Sequence, residues 1–226
     1  MILGIYGGGG MGKTIVDFAK IINAKNHQWD KFIFIDDVLQ SKREYGLDVF
    51  SFDEMGHAFK PDEIELSISL GEPEYREMLY NRIKAAGYSL ARLVDPDAVI
   101  AGTARLGEGV IITKCLIGSD VVISDNSMVL WDAIIGHDVV VGSHTVIAVG
   151  AFIGGHCKIG NKVYVGVRAI LRDRILVEDT AVLALGSVIV KSVPGDVVAL
   201  GNPARFIKKT ADYRVFDKKN DSVQDV

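Results

Sequence analysis

The chain of 226 residues has few cysteines and no long apolar run, and these shortages exclude several classes of protein. Its two cysteines, Cys115 and Cys157, form no CxxC pair and fall at different positions of a repeat, which argues against a disulfide framework. No stretch reaches the ~20 apolar residues of a membrane-spanning helix. The N-terminal MILGIYGGGGMG has no basic region and no small-residue cleavage site, so we expect no signal peptide. These features predict a cytoplasmic protein.

Basic residues are not in excess either. The formal net charge is −4, which argues against nucleic acid as the main partner. Apolar residues make up 49% of the chain, enough to build a hydrophobic core in each of two modest domains.

A six-residue repeat fills the second half of the chain. An aliphatic residue recurs at every sixth position, with one slip after Ile112. The positions are Val94, Ile100, Leu106, Ile112, Ile117, Ile123, Val129, Ile135, Val141, Ile147, Ile153, Ile159, Val165, Leu171, Val177, Leu183 and Ile189. Because this period fits neither an α-helix nor a meander, it predicts a parallel β-helix in which residues 18 apart stack in five to six coils.

The first 90 residues follow a different pattern. MILGIYG, KFIFIDD and ELSISLG are apolar strands, whereas TIVDFAKIINAKN and residues 74–86 have helical patterns. This alternation predicts a parallel α/β sheet. The expected organisation is a Rossmann-like half-domain over residues 1–90, a β-helix over 91–206 and a polar tail over 207–226.

The glycine loop between the first strand and the first helix allows three interpretations. Gly7, Gly9 and Gly12 match GxGxxG, and the same segment continued through Lys13-Thr14 matches a Walker A string. Both place backbone N–H groups and a helix N-terminus against phosphate oxygens. A P-loop enzyme needs a larger sheet than 90 residues supply, so a single nucleotide moiety bound with the acids of IDD is favoured. The third interpretation is that the glycines only make a tight turn.

Three of the five histidines fall within the repeats. His137, followed by Asp138, lies at a β-helix corner, where an exposed and rigid imidazole suits a general base. His144 and His156 are 12 residues apart and are expected on different faces, so the three histidines should not converge within one chain. A zinc site of the carbonic anhydrase kind would need convergence across a subunit interface, and no metal is expected.

The glycine loop with IDD, the SLGEPEYR segment, the hexapeptide repeats with His137-Asp138 and the closing GNPAR together resemble a bacterial family. These are the NeuD- and PglD-like sugar acetyltransferases, and the resemblance covers residues 1 to about 208. It implies a left-handed β-helix, a homotrimer with active sites between adjacent subunits, and acetyl-CoA as co-substrate in the groove between β-helices.

The resemblance also implies roles for individual residues. His137 would be the catalytic base and Asp138 its acidic neighbour. The residues expected to contact the nucleotide sugar are Gly9, Gly10, Met11, Asp36, Asp37, Gly71 and Arg76. Those expected near the coenzyme are Val146, Gly166, Val167, Leu185 and Gly186.

Two positions depart from the family pattern. Val146 replaces a second histidine that some members carry near the thioester, and Leu130-Trp131-Asp132 replaces an Asn-Thr-like pair that faces the acceptor sugar. The leading hypothesis is N-acetylation of a UDP- or dTDP-linked amino-sugar in glycan biosynthesis, by direct transfer from acetyl-CoA. The alternatives are O-acetylation of sialic acid or a related sugar, and a non-catalytic trimeric assembly module.

Overall fold

The computed structural model describes residues 1–39, 41–209 and 214–216. The N-terminal part is an α/β half-domain whose elements, in chain order, are β1 (Ile2–Tyr6), α1 (Gly10–Asn26), β2 (Lys31–Ile35), β3 (Arg43–Glu44), β4 (Leu47–Phe50), α2 (Phe52–Ala58), β5 (Ile64–Ile68), α3 (Pro73–Ala85) and β6 (Ser89–Leu90). The sheet order is β3-β4-β2-β1-β5-β6, parallel except for the β3–β4 hairpin. The central strands are continuous apolar runs because both faces of the sheet are covered. The predicted α/β half-domain is confirmed.

Four elements of this half-domain, β3, β4, α2 and β6, escape the sequence prediction. The strand β4 and the helix α2 follow the acids of IDD, and α2 opens with a capping box. The Ser51 side chain accepts the Glu54 N–H, and the Glu54 carboxylate accepts the Ser51 N–H. The string SFDE is a recognised start signal for a helix, so α2 was predictable from the sequence.

The second part is a β-helix of two-residue strands, and it confirms the predicted left-handed parallel β-helix. The strands are β7 (Leu93–Val94), β8 (Val99–Ile100), β9 (Arg105–Leu106), β10 (Ile111–Ile112), β11 (Leu116–Ile117), β12 (Val122–Ile123), β13 (Met128–Val129), β14 (Ile134–Ile135), β15 (Val140–Val141), β16 (Val146–Ile147), β17 (Phe152–Ile153), β18 (Lys158–Ile159), β19 (Tyr164–Val165), β20 (Ile170–Leu171), β21 (Leu176–Val177), β22 (Val182–Leu183) and β23 (Val188–Ile189). A closing hairpin, β24 (Val197–Gly201) and β25 (Ala204–Lys208), extends beyond the predicted end of this domain at residue 206.

The strands form three faces. Face 1 contains β7, β10, β13, β16, β19 and β22, face 2 contains β8, β11, β14, β17, β20 and β23, and face 3 contains β9, β12, β15, β18 and β21. Strands 18 residues apart pair in parallel, as Ile135 with Ile153. At the slip the pairing shortens, and Ile117 lies beside Ile100. The aliphatic residues of the repeat point inward and form the core with small residues such as Ala151.

Each corner of the β-helix carries a stack of residues in the left-handed backbone conformation. Between faces 2 and 3 the stack is Asp120, Asp138, His156 and Arg174, with φ between 57° and 60°. Asp, Asn and His tolerate this conformation better than most residues, which explains their frequency at the corners. The N–H of each upper residue bonds a carbonyl of the coil below, as His156 N–H with the His137 carbonyl at 2.9 Å.

The N-terminal domain packs on face 1. Outward-pointing residues of that face, including Met128 and Val146, are fully buried beneath α1 and neighbouring elements. The seam is fixed at one corner by the edge-to-face contact of Phe18 with Trp131. None of the helices in the described parts of the chain is both long and apolar enough to cross a membrane.

Candidate active site

The predicted catalytic pair lies at the corner between faces 2 and 3. His137 Nδ1 lies 2.7 Å from Asp138 Oδ2. Since the carboxylate can only accept, Nδ1 carries the proton and Nε2 keeps its lone pair. The hydrogen bond from His137, followed by the charge of His156, lowers the pKa of Asp138. The pair therefore has the geometry of an oriented general base.

A second histidine lies against this pair. The His156 ring is perpendicular to the His137 ring, with centroids 4.9 Å apart, and its Nδ1 is 3.7 Å from Asp138 Oδ2. The expectation that the histidines do not converge within one chain is therefore wrong for His137 and His156. The period of 18 stacks His156 on Asp138, which brings it beside the preceding residue of the lower coil.

The same three side chains offer ligand atoms of the kinds that divalent metals use. The candidate atoms of His137, Asp138 and His156 lie within 4.8 Å of one another. Two imidazoles and a carboxylate match the ligand types of zinc sites. In this structure Asp138 Oδ2 accepts the hydrogen bond of His137 Nδ1.

His144 belongs to a different environment, as expected. Its Nδ1 is 3.0 Å from the Asn126 amide nitrogen, and its ring meets the Tyr80 ring edge-on at 5.1 Å. Burial lowers the pKa of His144. This histidine is thus part of the seam between α3 and the β-helix.

The glycine loop is shaped by close backbone packing. Gly7 has a φ of 105°, and a Cβ at Gly12 would lie 1.9 Å from the Gly7 carbonyl oxygen. At Gly9 and Gly10, in contrast, a Cβ would meet no described atom within 4 Å. The N-terminus of α1, with Met11 in its first turn, is therefore open to an anion. Lys13 is paired with Glu44 at 2.6 Å.

Asp36 and Asp37 line a cleft of about 240 Å³ beside the loop. Asp36 accepts N–H groups of Gly8, Val38 and Leu39, so its carboxylate ties the glycine loop to the turn after β2. The cleft is smaller than the ~300–1,000 Å³ of ordinary ligand pockets.

Asp37 is held by a second set of donors. Burial alone would raise the pKa of Asp37, but hydrogen bonds from Tyr6, Phe52 and Arg82 lower it overall. Burial, followed by the bond to Asp37, raises the pKa of Tyr6. Arg82, which the sequence analysis did not single out, is thus an ion-pair partner of Asp37, and Lys42 is a cation that lines the cleft itself.

Arg76 does not lie in the pocket, and its assignment to substrate binding is corrected here. Its relative exposure is 0%, and its guanidinium donates to the carbonyls of Ile68, Leu70 and Asn126 and to the Asn126 side chain. Burial lowers the pKa of Arg76. The side chain clamps α3 to the β-helix, a role that SLGEPEYR does not reveal because no pattern in it signals burial.

Gly71 lies beneath a short piece of the C-terminal segment. A Cβ there would be 2.9 Å from the Phe216 ring, and Glu72 accepts the N–H groups of Val215 and Phe216. Residues 210–213 and 217–226 of the predicted tail lie outside the described part of the chain.

The predicted coenzyme residues fall into two groups. Val167 and Leu185 are exposed at 41% and 79% and stack at the corner between faces 1 and 2, beside Gly166 and Gly186. The assignment of Val146 to coenzyme binding is wrong, because its side chain is buried under the N-terminal domain on face 1 and cannot meet a coenzyme in the groove.

One chain does not bring these groups together. His137 is at the corner opposite face 1, where the N-terminal domain packs, and face 2 separates His137 from Val167 and Leu185. The candidate base, the glycine loop and the coenzyme corner are thus three separate places on one subunit.

Comparison with known proteins agrees with this architecture. Residues 3–83 match the family described as the PglD N-terminal domain. None of the curated proteins matches the chain by sequence. The fold is similar to the acetyltransferase domain of PglB from Neisseria gonorrhoeae FA1090, with 25% identity, a TM-score of 0.84, and coverage of 91% of this chain and 99% of that one. A further structure of that domain contains acetyl coenzyme A.

Two other structures are similar. WeeI from Acinetobacter baumannii AYE has 26% identity and a TM-score of 0.83, covering 92% of this chain and 100% of that one. PerB from Caulobacter crescentus, in complex with CoA and GDP-perosamine, has 23% identity and a TM-score of 0.83, covering 92% and 97%, and shows the fold alone. The predicted resemblance to NeuD- and PglD-like sugar acetyltransferases is confirmed, and with it the prediction of an acyltransferase.

Proposed function

We propose that this protein transfers the acetyl group of acetyl-CoA to the amino group of a nucleotide-linked amino-sugar, with His137 as general base. The observation that carries the proposal is the His137–Asp138 pair, whose 2.7 Å hydrogen bond leaves Nε2 free at a rigid corner. The same fold is that of the PglB acetyltransferase domain, one structure of which contains acetyl coenzyme A.

The chemistry needs one proton acceptor and two aligned substrates. The sugar amine attacks the thioester carbon, and a C–N bond forms as the C–S bond breaks. His137 Nε2 takes the proton that the amine loses and returns it to the departing thiolate, while Asp138 stabilises the imidazolium. Holding both substrates in one groove supplies much of the rate, so no covalent intermediate is required.

The N-terminal domain supports binding of a nucleotide sugar. Gly9, Gly10 and Met11 present an open helix N-terminus to the phosphates. The cleft at Asp36 and Asp37 lies beside the loop, because Asp36 accepts the Gly8 N–H. PerB, which has this fold, was solved with GDP-perosamine. We favour UDP or dTDP for this chain, as the resemblance implies, and the identity of the base stays a prediction.

A homotrimer would complete the site. Five of the six outward residues of face 2 are apolar and exposed, and the sixth, Val188, is half-buried, whereas most outward residues of face 1 are buried; the five are Val99, Leu116, Ile134, Phe152 and Ile170. A continuous apolar patch of this kind marks an interface. Because face 2 runs between the coenzyme corner and the His137 corner, a second copy packed there would border both.

The positions of His137 and the glycine loop on one subunit support a site shared between copies. His137 points away from its own glycine loop, so the nucleotide sugar that it serves would be held by another subunit. Acetyl-CoA would lie in the groove between the two β-helices, along Val167 and Leu185 of one copy. The cytoplasmic location expected from the sequence stays a prediction.

A thermal-shift screen tests the proposal. Acetyl-CoA and UDP- or dTDP-linked 4-amino-sugars should each stabilise the protein, by about 2.7 kcal/mol at a concentration 100-fold above the dissociation constant. Stabilisation by acetyl-CoA and free sialic acid, but by no nucleotide sugar, would favour O-acetylation. A protein that none of these ligands stabilises would be an assembly module, and the proposal would be wrong.

A further inference from the structure

The His137 ring is bordered by two residues of the next coil, Gly155 and His156. A Cβ at Gly155 would lie 2.9 Å from both Cε1 and Nε2 of His137, so this glycine leaves the space that the ring occupies. The His156 ring stands edge-on to the His137 ring, at 89° and 4.9 Å between centroids. The environment of the base is thus formed by two consecutive coils, one that carries His137 and one that carries Gly155 and His156.

The contact with the His156 ring matters because few other contacts hold the His137 ring. The His137 side chain is 62% exposed, and its described hydrogen bond goes to the adjacent residue, Asp138, which is itself exposed. A histidine ring can rotate broadly about its terminal torsion. A reacting group displaced by about 1 Å can lose on the order of 100-fold in rate.

The His156 side chain is 43% exposed, and two contacts locate the residue beside His137. Its backbone N–H donates to the His137 carbonyl at 2.9 Å, so the backbones of the two coils are joined at this corner. Its Nδ1 lies 3.7 Å from the same Asp138 oxygen that His137 bonds, which orients the second ring on the shared carboxylate. The next residue of the same stack, Arg174, has no ring to offer.

We propose that His156 is a positioning residue for the base: its ring, one coil away, holds the His137 ring edge-on with Nδ1 on Asp138. The catalytic consequence rests on the proposed function, whereas the geometric consequence does not. His156 itself touches no substrate in this role.

The test compares three variants. His156→Asn removes the ring but suits the left-handed backbone, where φ is 59°. We expect kcat to fall by about 10- to 100-fold, with the KM values for both substrates unchanged. His156→Phe keeps the edge-to-face contact and should return kcat to within roughly threefold of wild type. Arg174→Asn, in the same stack, is the matched control and should leave kcat unchanged.

A spectroscopic readout separates positioning from mere stability. With ¹⁵N-labelled histidine, the wild type should show His137 as the Nδ1–H tautomer, and His156→Asn should show a mixture of tautomers. An Asn variant with wild-type kcat and tautomer, or a Phe variant as impaired as Asn, would overturn the proposal. If Phe does not fold, the Asn variant and its tautomer decide. If no amino-sugar is acetylated at all, the proposed function fails, and the tautomer still tests the positioning role.

Discussion

Met128 and His137 lie on opposite sides of the β-helix: Met128 is buried beneath the N-terminal domain on face 1, and His137 stands at the corner that points away from that domain. The two halves of the chain therefore cannot form one site within a subunit. In the proposed trimer, each copy would offer His137 to one neighbour and its glycine loop to another, so that catalysis would require assembly.

The apolar patch on face 2 predicts where that assembly forms. Ile170→Asp places a charge on face 2, where Ile170 is 46% exposed in the isolated chain. We expect the variant to run as a single 24.5 kDa chain, and the wild type as three, in light scattering after gel filtration. Leu176→Asp is the control, because Leu176 is 45% exposed at the equivalent position of face 3. A trimeric Ile170→Asp protein would move the interface elsewhere.

The glycine loop predicts a contrast between two substitutions. Gly12→Ala forces a Cβ against the Gly7 carbonyl and should lower the free energy of unfolding by about 1–3 kcal/mol or more. Gly9→Val enters open space but replaces the N-cap glycine of α1, so this substitution should lower that free energy by no more than about 1 kcal/mol. The valine should nevertheless raise KM for the nucleotide sugar about tenfold, because it screens phosphates from the helix N-terminus. Steady-state kinetics with an unchanged KM would remove the loop from the substrate site.

Substitution of Arg76 distinguishes a structural role of this side chain from a role in substrate binding. Arg76→Leu leaves several buried carbonyls unpaired, each costing about 1–3 kcal/mol, so urea unfolding should show a loss of at least about 3 kcal/mol. Lys84→Ala, which breaks an exposed ion pair between α3 and Glu108, should cost no more than about 1 kcal/mol. At a temperature where both fold, neither should change KM for the nucleotide sugar. A selective rise in that KM with Arg76→Leu would restore the sequence-based assignment.

Glu72 predicts how the C-terminal segment is held. Glu72→Ala removes the acceptor of the Val215 and Phe216 N–H groups, so hydrogen exchange at these amides should accelerate, whereas Glu72→Gln keeps an acceptor oxygen and should preserve protection. Burial raises the pKa of Glu72. Its contribution to stability is therefore complete below the ordinary pKa of about 4.3 and decreases as the pH rises through the raised value. Glu72→Gln should lack that pH dependence.

The sequence predicts the architecture well because the β-helix arises from a repeat of six residues. Each aliphatic residue of the repeat, such as Ile135, points into the core. Neither a helix nor an ordinary sheet places core residues at a spacing of six. The sequence also reveals the glycine loop, since Gly7 is required by its positive φ and Gly12 by a close backbone contact. Ser51 and Glu54 carry a signal for the start of α2 as well.

The candidate site is less predictable because it depends on contacts between distant segments. The offset of 19 residues between His137 and His156 has no meaning until the corner geometry places one beside the other. Arg76 reads as a surface cation, and only its contacts with a segment 50 residues away reveal a buried clamp. Val146 reads as a groove residue, and only domain packing hides it.

The measurement that tests the central claim most directly is the rate of acetyl transfer by His137→Asn, with acetyl-CoA and a UDP- or dTDP-linked 4-amino-sugar. We predict a kcat lower by about 10²- to 10⁴-fold, with acetyl-CoA affinity and thermal stability retained, because only the proton acceptor is lost. Undiminished transfer by the folded variant would contradict the assignment of His137 as the base.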